Sequence, residues 1–377
     1  MAEKNSGFLP EHQFPNSYRR IEELIAKWKS GQIDASQLER LASESLAESL
    51  SIPWSKLGKL VVREDVRPLI PILEQMLSNP LEGTRSQGVK FLAELGGRST
   101  LGMVFQHLYD PSPRVRRAIA ISVRKLGDTS AFLAIVPLLA DPDAQVREDV
   151  VETLRESQDP EVLGRILPFL SHFQSETRIA ALRAMSFSSS PTVAKELVEA
   201  LDDTDVAVGL AALEQLGRAK DPKYAQWILP LLKDPIPEVR AAAVQALWYL
   251  GPEPFRDSIV PLITDSDWNV REQVSDCIKS IGIGSHIPRL LPLLQHSNAG
   301  VRAHVIDLLG ISREPEVSHT LLKGLRDPDP VVRRYAILAL SHFGAQFARE
   351  ILALETDADS DVRSEVERFK RDLERPM

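Results

Sequence analysis

The amino-acid sequence predicts an all-α fold, an alpha-alpha superhelix built from about ten stacked helix pairs of 31 residues each. Three observations support this prediction. An acidic junction, often "DP", recurs every 31 residues, apolar residues between junctions follow helical spacing, and N-cap residue types recur just after the junctions. A unit of this length cannot bury its apolar face alone, so neighbouring units are expected to stack into a solenoid.

The junctions divide most of the chain into segments of equal length, and only the last segment begins one residue early. Residues 1–16 are polar and without periodicity, which predicts disorder. We expect residues 17–78 to form a helical N-terminal cap and residues 79–377 to form the solenoid. The segments begin at Asn79, Asp110, Asp141, His172, Asp203, Asp234, Asp265, His296, Asp327 and Asp357.

The segment 110–140 shows how one repeat is built. Ile119 and Val123 belong to an apolar series with spacings of four, four and three, which predicts one face of a helix A that ends at Gly127. The apolar run 132–139 predicts a shorter helix B. The third position of a repeat holds an N-cap residue type in seven copies: Ser112, Asp143, Asp205, Asp267, Asn298, Asp329 and Asp359.

Two further positions recur along the chain. The fourteenth is apolar throughout and is predicted to form the core, from Leu92 to Leu340. The twenty-eighth is proline in five repeats and is predicted to bend helix B, because proline removes one backbone hydrogen bond. These prolines are Pro137, Pro168, Pro230, Pro261 and Pro292.

Arginine occupies the seventh position in nine of ten repeats, and aspartate the first position in seven. Acid and base at a fixed offset predict a ladder of charge-assisted hydrogen bonds between repeats, with a row of anion sites as the alternative. Replacing such an arginine is therefore expected to lower stability, and Gly209, which interrupts the column, is expected to mark a softer layer. The residues assigned to the ladder are Asp110, Arg116, Asp141, Arg147, Asp234, Arg240, Asp265, Arg271, Asp327 and Arg333.

The pattern "DP…VR…A…LG" on paired helices resembles the HEAT repeat, specifically the bacterial short-repeat kind named after phycobilisome lyases. The resemblance covers residues 79–377. It implies a HEAT-like solenoid whose B helices line the concave side. It implies no single activity, because one fold carries many functions.

The composition argues against several classes of function. The sequence has no apolar run of about 18 residues, so we expect no membrane span. Its N-terminal segment lacks the apolar stretch of a signal peptide, so we expect none. The one cysteine, Cys277, cannot form an internal disulfide, which favours a reducing cytoplasm. A net charge of −8 disfavours nucleic acid. The eight histidines form no "HExxH" motif and no "HE" dipeptide, so we expect no metal site, cofactor or catalytic residue. His172 and His296 occupy the junction position and are predicted to cap helices.

Four large aromatic residues stand at repeat positions that otherwise hold small or charged side chains and are expected to be exposed. Each is either a packing residue or an anchor for a partner. Trp227 is predicted to lie in the groove of the B helices with Arg165, Asp257 and Arg289. A second aromatic patch, on the convex side or edge, is predicted from Trp248, Tyr249 and Trp268.

These observations favour a non-catalytic protein-interaction scaffold or adaptor that binds a protein or peptide partner through its groove. The resemblance leaves a second hypothesis open, a phycobilin lyase-like factor for chromophore attachment or removal, and bilin binding is expected only under it. A HEAT-type DNA glycosylase is a weaker alternative, because such an enzyme needs a basic groove.

Overall fold

The computed structural model describes residues 70–96, 100–157, 159–185, 191–312 and 314–374, and four isolated positions before residue 70. Within these residues the regular secondary structure is helical and includes no strand, which confirms the all-α superhelix. The chain divides into two compact units, Met1–Ser188 and Ser189–Met377. The predicted disordered segment, and the predicted cap up to residue 69 apart from those four positions, lie outside the described residues.

The described part of the first unit contains eight α-helices. Four of them are A helices, α2, α4, α6 and α8, and each packs on the next along the chain. The B helices α3, α5 and α7 alternate with them. The helices are α1 (Ile70–Leu77), α2 (Glu82–Gly96), α3 (Leu101–Phe105), α4 (Pro113–Leu126), α5 (Thr129–Ile135), α6 (Ala144–Leu154), α7 (Pro160–Ile166) and α8 (Ser175–Ala184).

The described part of the second unit contains twelve α-helices. The A helices α10, α12, α14, α16, α18 and α20 again pack in series, and B helices alternate with them. The helices are α9 (Pro191–Glu199), α10 (Val206–Arg218), α11 (Ala225–Ile228), α12 (Pro237–Leu250), α13 (Arg256–Ile259), α14 (Trp268–Ile281), α15 (Ile287–Leu290), α16 (Ala299–Ser312), α17 (Pro315–Leu321), α18 (Pro330–Ser341), α19 (Ala348–Leu352) and α20 (Ser360–Glu374).

The predicted core and most of the predicted caps are present. Every fourteenth-position side chain from Leu92 to Leu340 is at most 1 % exposed. Gly127 ends α4 in the left-handed conformation, with φ of 60°. Ser112 departs from the prediction, because its hydroxyl donates to Glu82 and makes no cap bond. The other six predicted N-cap side chains accept backbone N–H groups: Asp143, Asp205, Asp267, Asn298, Asp329 and Asp359.

The prolines of the B helices divide each helix rather than bend it. The α-helical turn ends just before the proline, and a short 3-10 helix such as Val136–Ala140 carries the chain to the next junction. Proline fits the first turn of a helix because that turn leaves backbone N–H groups without intrahelical acceptors. The segment Leu322–Arg326 forms the same 3-10 turn with Lys323 at the proline position, so packing of the repeat also favours this geometry.

Candidate functional site

Among the described residues, both bonds of the predicted ladder are seen in five layers. We call each Arg–Asp pair between neighbouring repeats a rung. In every rung, Nε and Nη2 of the arginine donate to the two carboxylate oxygens at 2.6–2.9 Å. Nη1 of the same arginine donates to backbone carbonyls of its own junction. The rungs are Arg85–Asp110, Arg116–Asp141, Arg240–Asp265, Arg302–Asp327 and Arg333–Asp357.

The rungs are largely buried, and their electrostatics indicate a structural role. Burial by itself would raise the pKa of Asp265, but the Arg240 hydrogen bonds, the Asp267 amide and nearby guanidinium charge together hold that pKa below its usual range. The stability from this pair is present above the ordinary pKa of 3.8 and is lost as pH falls through the lowered pKa. Gly209 stands where other repeats have the arginine of the rung, so Asp234 has no arginine partner from that repeat. A Cβ added to Gly209 would lie 3.2 Å from the Leu201 carbonyl oxygen. The softer layer at Gly209 stays a prediction.

Two layers lack the predicted rung because histidine replaces the junction aspartate. Nδ1 of His172 accepts the Gln174 N–H at 3.2 Å, and Nδ1 of His296 accepts the Asn298 N–H at 3.1 Å. Each histidine therefore makes the predicted capping bond but offers the preceding arginine no carboxylate. Arg147 keeps only its Nη1 bonds, to Asp141 O at 2.7 Å and Pro142 O at 3.1 Å.

Arg271 precedes His296 and is buried in the other incomplete layer. Its Nη1 donates to Asp265 O at 2.7 Å, and its buried Nε has no hydrogen-bond partner. Desolvation lowers the pKa of Arg271, against the opposing effect of Asp267 and Asp265. This layer therefore lacks the predicted rung, and one buried donor of Arg271 is unsatisfied.

Trp227 lies on the short helix α11 and is 38 % exposed. The buried Tyr224 supports it, with ring centroids 6.1 Å apart. On the next two B helices, Arg289 Nη1 lies 2.7 Å from Asp257 Oδ1 in an exposed ion pair, and its hydrogen bond lowers the pKa of Asp257. Three of the four predicted groove residues are thus exposed on B helices of the second unit.

Arg165, the fourth predicted groove residue, belongs to the first unit. It lines a surface cavity of about 550 Å³ formed by α3, α5 and α7. Its lining includes half-buried apolar side chains and the exposed charged residues Glu161 and Arg165. The cavity therefore offers both apolar contact and charge to a ligand. Its other lining residues are Phe105, Ser130, Leu133, Ala134 and Gly164.

The structure separates the residues of the predicted second patch into two places. Trp248 and Tyr249 stack in the last turn of α12, with ring centroids 5.5 Å apart at 22°. Trp268 begins α14, and its ring lies 5.9 Å from that of the buried His304. Trp268 is the fourth residue of its repeat, and the fourth residue of the preceding repeat is Pro237 in α12. Pro237 precedes Trp248 by eleven residues, which is about 16 Å along a helix, so Trp248 and Trp268 lie at different heights of the two A helices. A single patch from all three residues is therefore not formed.

The repeat position of Trp248 is not uniformly exposed, contrary to expectation. Trp248 itself is 37 % exposed, whereas Gly217 and Gly310 at the same position are buried. A Cβ added at Gly217 would lie 2.7 Å from Ala246 Cα, and one at Gly310 would lie 2.4 Å from Ala339 Cβ. Neighbouring A helices therefore approach too closely at these two layers for any side chain.

An exposed aromatic residue that the sequence analysis did not single out lies at the junction 172–174. Phe173 is 85 % exposed, and its ring centroid lies 4.5 Å from that of His172. Five other repeats place proline at this second position, so the repeat column contained a signal for it.

Arg147 lines a cavity of about 230 Å³ between α6 and α8.

The buried His286 is expected to make stability depend on pH. Its Nδ1 has no partner, and burial, then Arg256 and Arg289, lower its pKa against the effect of Asp257. As pH falls below the ordinary value of 6.5, the unfolded chain takes up a proton that the folded chain does not. Stability should fall by up to about 1.4 kcal/mol per pH unit until the lowered pKa is reached. Other repeats place valine at this position, at residues 162, 193 and 317, so His286→Val should keep the fold and remove this pH dependence. Urea unfolding at several pH values measures it, and the same change of stability with pH in the variant and the wild type would contradict the prediction.

The described residues contain no group of side chains suited to hold a metal ion. Burial, with a contribution from Glu253, raises the pKa of Cys277 to about 11, so this thiol is a poor nucleophile. None of the helices in the described ranges has the length and apolar character needed to cross a membrane.

Comparison with known proteins identifies the family of this chain. No curated protein matches the chain. Among solved structures, Kap121p superposes with a TM-score of 0.57 at 13 % identity, over 96 % of this chain and 46 % of that chain. Kap121p bound to Nup53p gives 0.56 at 13 % identity with the same coverage, so this chain spans less than half of these proteins. The model for HEAT repeats matches residues 70–155, 132–217, 165–248, 194–273, 225–286, 256–327 and 287–368. The chain therefore belongs to the HEAT-repeat family.

Proposed function

We propose that the protein is a non-catalytic interaction scaffold that binds protein or peptide segments on the surfaces of its B helices. The cavity beside Arg165 supports this proposal most strongly, because it combines apolar side chains with one acid and one base. Trp227 adds an exposed aromatic anchor on the B helices of the second unit. Mixed charge on both surfaces suits a protein better than a phosphate backbone.

The fold likeness is compatible with this function. Kap121p structures of similar fold are described as bound to Nup53p and to the extreme C-terminus of the protein phosphatase Cdc14p. Those are properties of Kap121p, and at 13 % identity only the fold is shared. They support the proposal that a helical stack of this kind holds protein segments. The absence of a membrane-spanning helix in the described ranges and the single buried cysteine fit our proposal of a bacterial cytoplasmic protein.

A second candidate function is a phycobilin lyase-like role, which only the resemblance to the repeat named after phycobilisome lyases implies. The cavity beside Arg165 favours it, because a guanidinium group beside apolar side chains suits the propionates and rings of a tetrapyrrole. Titration with a free bilin tests it directly. A shifted visible absorbance that Arg165→Glu abolishes would support the lyase-like role, and an unchanged spectrum would contradict it.

A library of random peptides displayed on phage tests the scaffold. Peptides selected on the full chain should bind Trp227→Ala or Arg165→Glu about tenfold more weakly, because each variant removes an anchor of one B-helix surface. Trp248→Ala is the matched control, since Trp248 is equally exposed but lies on an A helix. If Trp227→Ala lowers the thermal midpoint and leaves peptide affinity unchanged, Trp227 is a packing residue.

A further inference from the structure

We propose that Arg147 is a binding site for a single carboxylate group of a protein partner. The aspartate or glutamate of that partner would supply the carboxylate that this layer lacks, because His172 stands at its junction position. The site lies between A helices α6 and α8 of the first unit, away from the B-helix residues named above, and its existence does not depend on them.

The other rungs of the chain show what this guanidinium fork binds. One repeat earlier, Arg116 donates from Nε and Nη2 to Asp141 at 2.6 and 2.8 Å. Arg116 Nη1 bonds Asp110 O at 2.7 Å, and Arg147 Nη1 bonds Asp141 O at the same distance. The two arginines are therefore held alike at Nη1. Nε and Nη2 of Arg147 have no acceptor among the described residues, and the planar fork is preorganised for a carboxylate.

Arg147 also borders a cavity. Arg147 lines the space of about 230 Å³ between α6 and α8, together with apolar Val151 and Ile179. Partial exclusion of water by these side chains would strengthen a charge-assisted hydrogen bond. Exposed Glu148 and Glu176 and half-buried Arg183 line the same cavity, so charges of both signs surround Arg147. We expect the site to take one isolated carboxylate, because the two glutamates would repel an acidic run.

The second histidine layer provides a closed counterpart. Arg271 also lacks a junction carboxylate, but it is only 4 % exposed. A Cβ added to Gly300 would lie only 2.5 Å from Nη2 of Arg271, so the start of α16 covers the guanidinium. Arg147 is half-buried, and the position of Gly300 is held there by the exposed Glu176. Of these two layers, only that of Arg147 can admit a ligand.

Phe173 provides an apolar contact at the same junction as His172. Exposed aromatic residues and arginines are enriched at the centres of protein interfaces, where they contribute most of the binding energy. The ring of Phe173 is the most exposed of the large apolar side chains in the described residues. We expect an apolar group near the partner's carboxylate to contact it.

The variant His172→Asp tests this site, because the new aspartate would compete with a bound peptide for Arg147. Random peptides on phage are selected on the full chain, and peptides that also bind His172→Asp are removed. The remaining peptides should share an aspartate or glutamate. Their affinity should fall about tenfold when that residue becomes asparagine or glutamine, and equally for His172→Asp and Arg147→Gln. His172→Asp should at the same time raise the thermal midpoint, because it restores a rung.

His296→Asp is the matched control, since it makes the same change beside the closed Arg271. It should leave the affinity of these peptides unchanged, as should Trp227→Ala and Arg165→Glu, whereas Phe173→Pro should weaken them several-fold. Absence of a shared acidic residue, including failure to recover any binder after subtraction, would overturn the proposal. So would equal affinity for the wild type and Arg147→Gln. Neither result would affect peptides held on the B-helix surfaces.

Discussion

Replacing Arg116 with alanine is expected to lower the free energy of unfolding by about 3 kcal/mol or more. The variant removes both charge-assisted bonds to Asp141 and leaves that buried carboxylate without its counter-charge. It also removes the Nη1 bond to Asp110 O. Urea unfolding of the full chain, followed by circular dichroism, measures the change.

Arg147→Ala is the control for this variant, because Arg147 makes the same Nη1 bonds one repeat later but pairs with no carboxylate. Its cost should be about 1 kcal/mol, that of ordinary hydrogen bonds. Similar losses for the two variants would show that the backbone bonds, and not the Arg–Asp rungs, carry the stability of the junctions.

Gly310→Ala is expected to destabilise the second unit by about 1–3 kcal/mol, although alanine favours helix more than glycine does. The new Cβ would lie 2.4 Å from Ala339 Cβ and 2.6 Å from Ala339 Cα, so that α16 and α18 must move apart. Such a movement separates side chains along the whole helix contact. The thermal midpoint and the urea midpoint both report the loss.

Gly164→Ala is the matched control for this variant. Gly164 also lies within a helix, but a Cβ there meets no atom within 4 Å. The substitution should be neutral or stabilise the chain by up to about 1 kcal/mol, because only helix propensity changes. A comparable loss at both glycines would contradict close helix packing as the cause.

Periodicity made the helical stack predictable, because a column of one repeated position serves as evidence for every layer. The core column from Leu92 to Leu340 and six of seven N-caps were predicted in this way. The prediction for Ser112 was wrong because its hydroxyl donates a hydrogen bond to Glu82 of the preceding repeat, a contact that helix-capping rules do not contain.

The candidate sites were harder to predict, because they depend on departures from the column and on space between repeats. The histidine at position 172 was visible in the sequence. The packing of the next helix, however, decides that Arg147 lines an open cavity and that Arg271 is covered. Trp248 and Trp268 were close in sequence but lie near opposite ends of neighbouring helices.

The sequence by itself determined the repeat length, the helix pairs, the core column and the pairing of junction charges, because each of these follows from local spacing. Only the tertiary structure decided which of the two arginines without a junction carboxylate is covered, which glycines touch a neighbouring helix and which aromatic residues are exposed. These outcomes depend on how closely neighbouring helices approach, from 2.4 Å at a Cβ added to Gly310 to no contact within 4 Å at Gly164. Such distances arise from the sum of all side chains packed between two helices, and no single repeat encodes them.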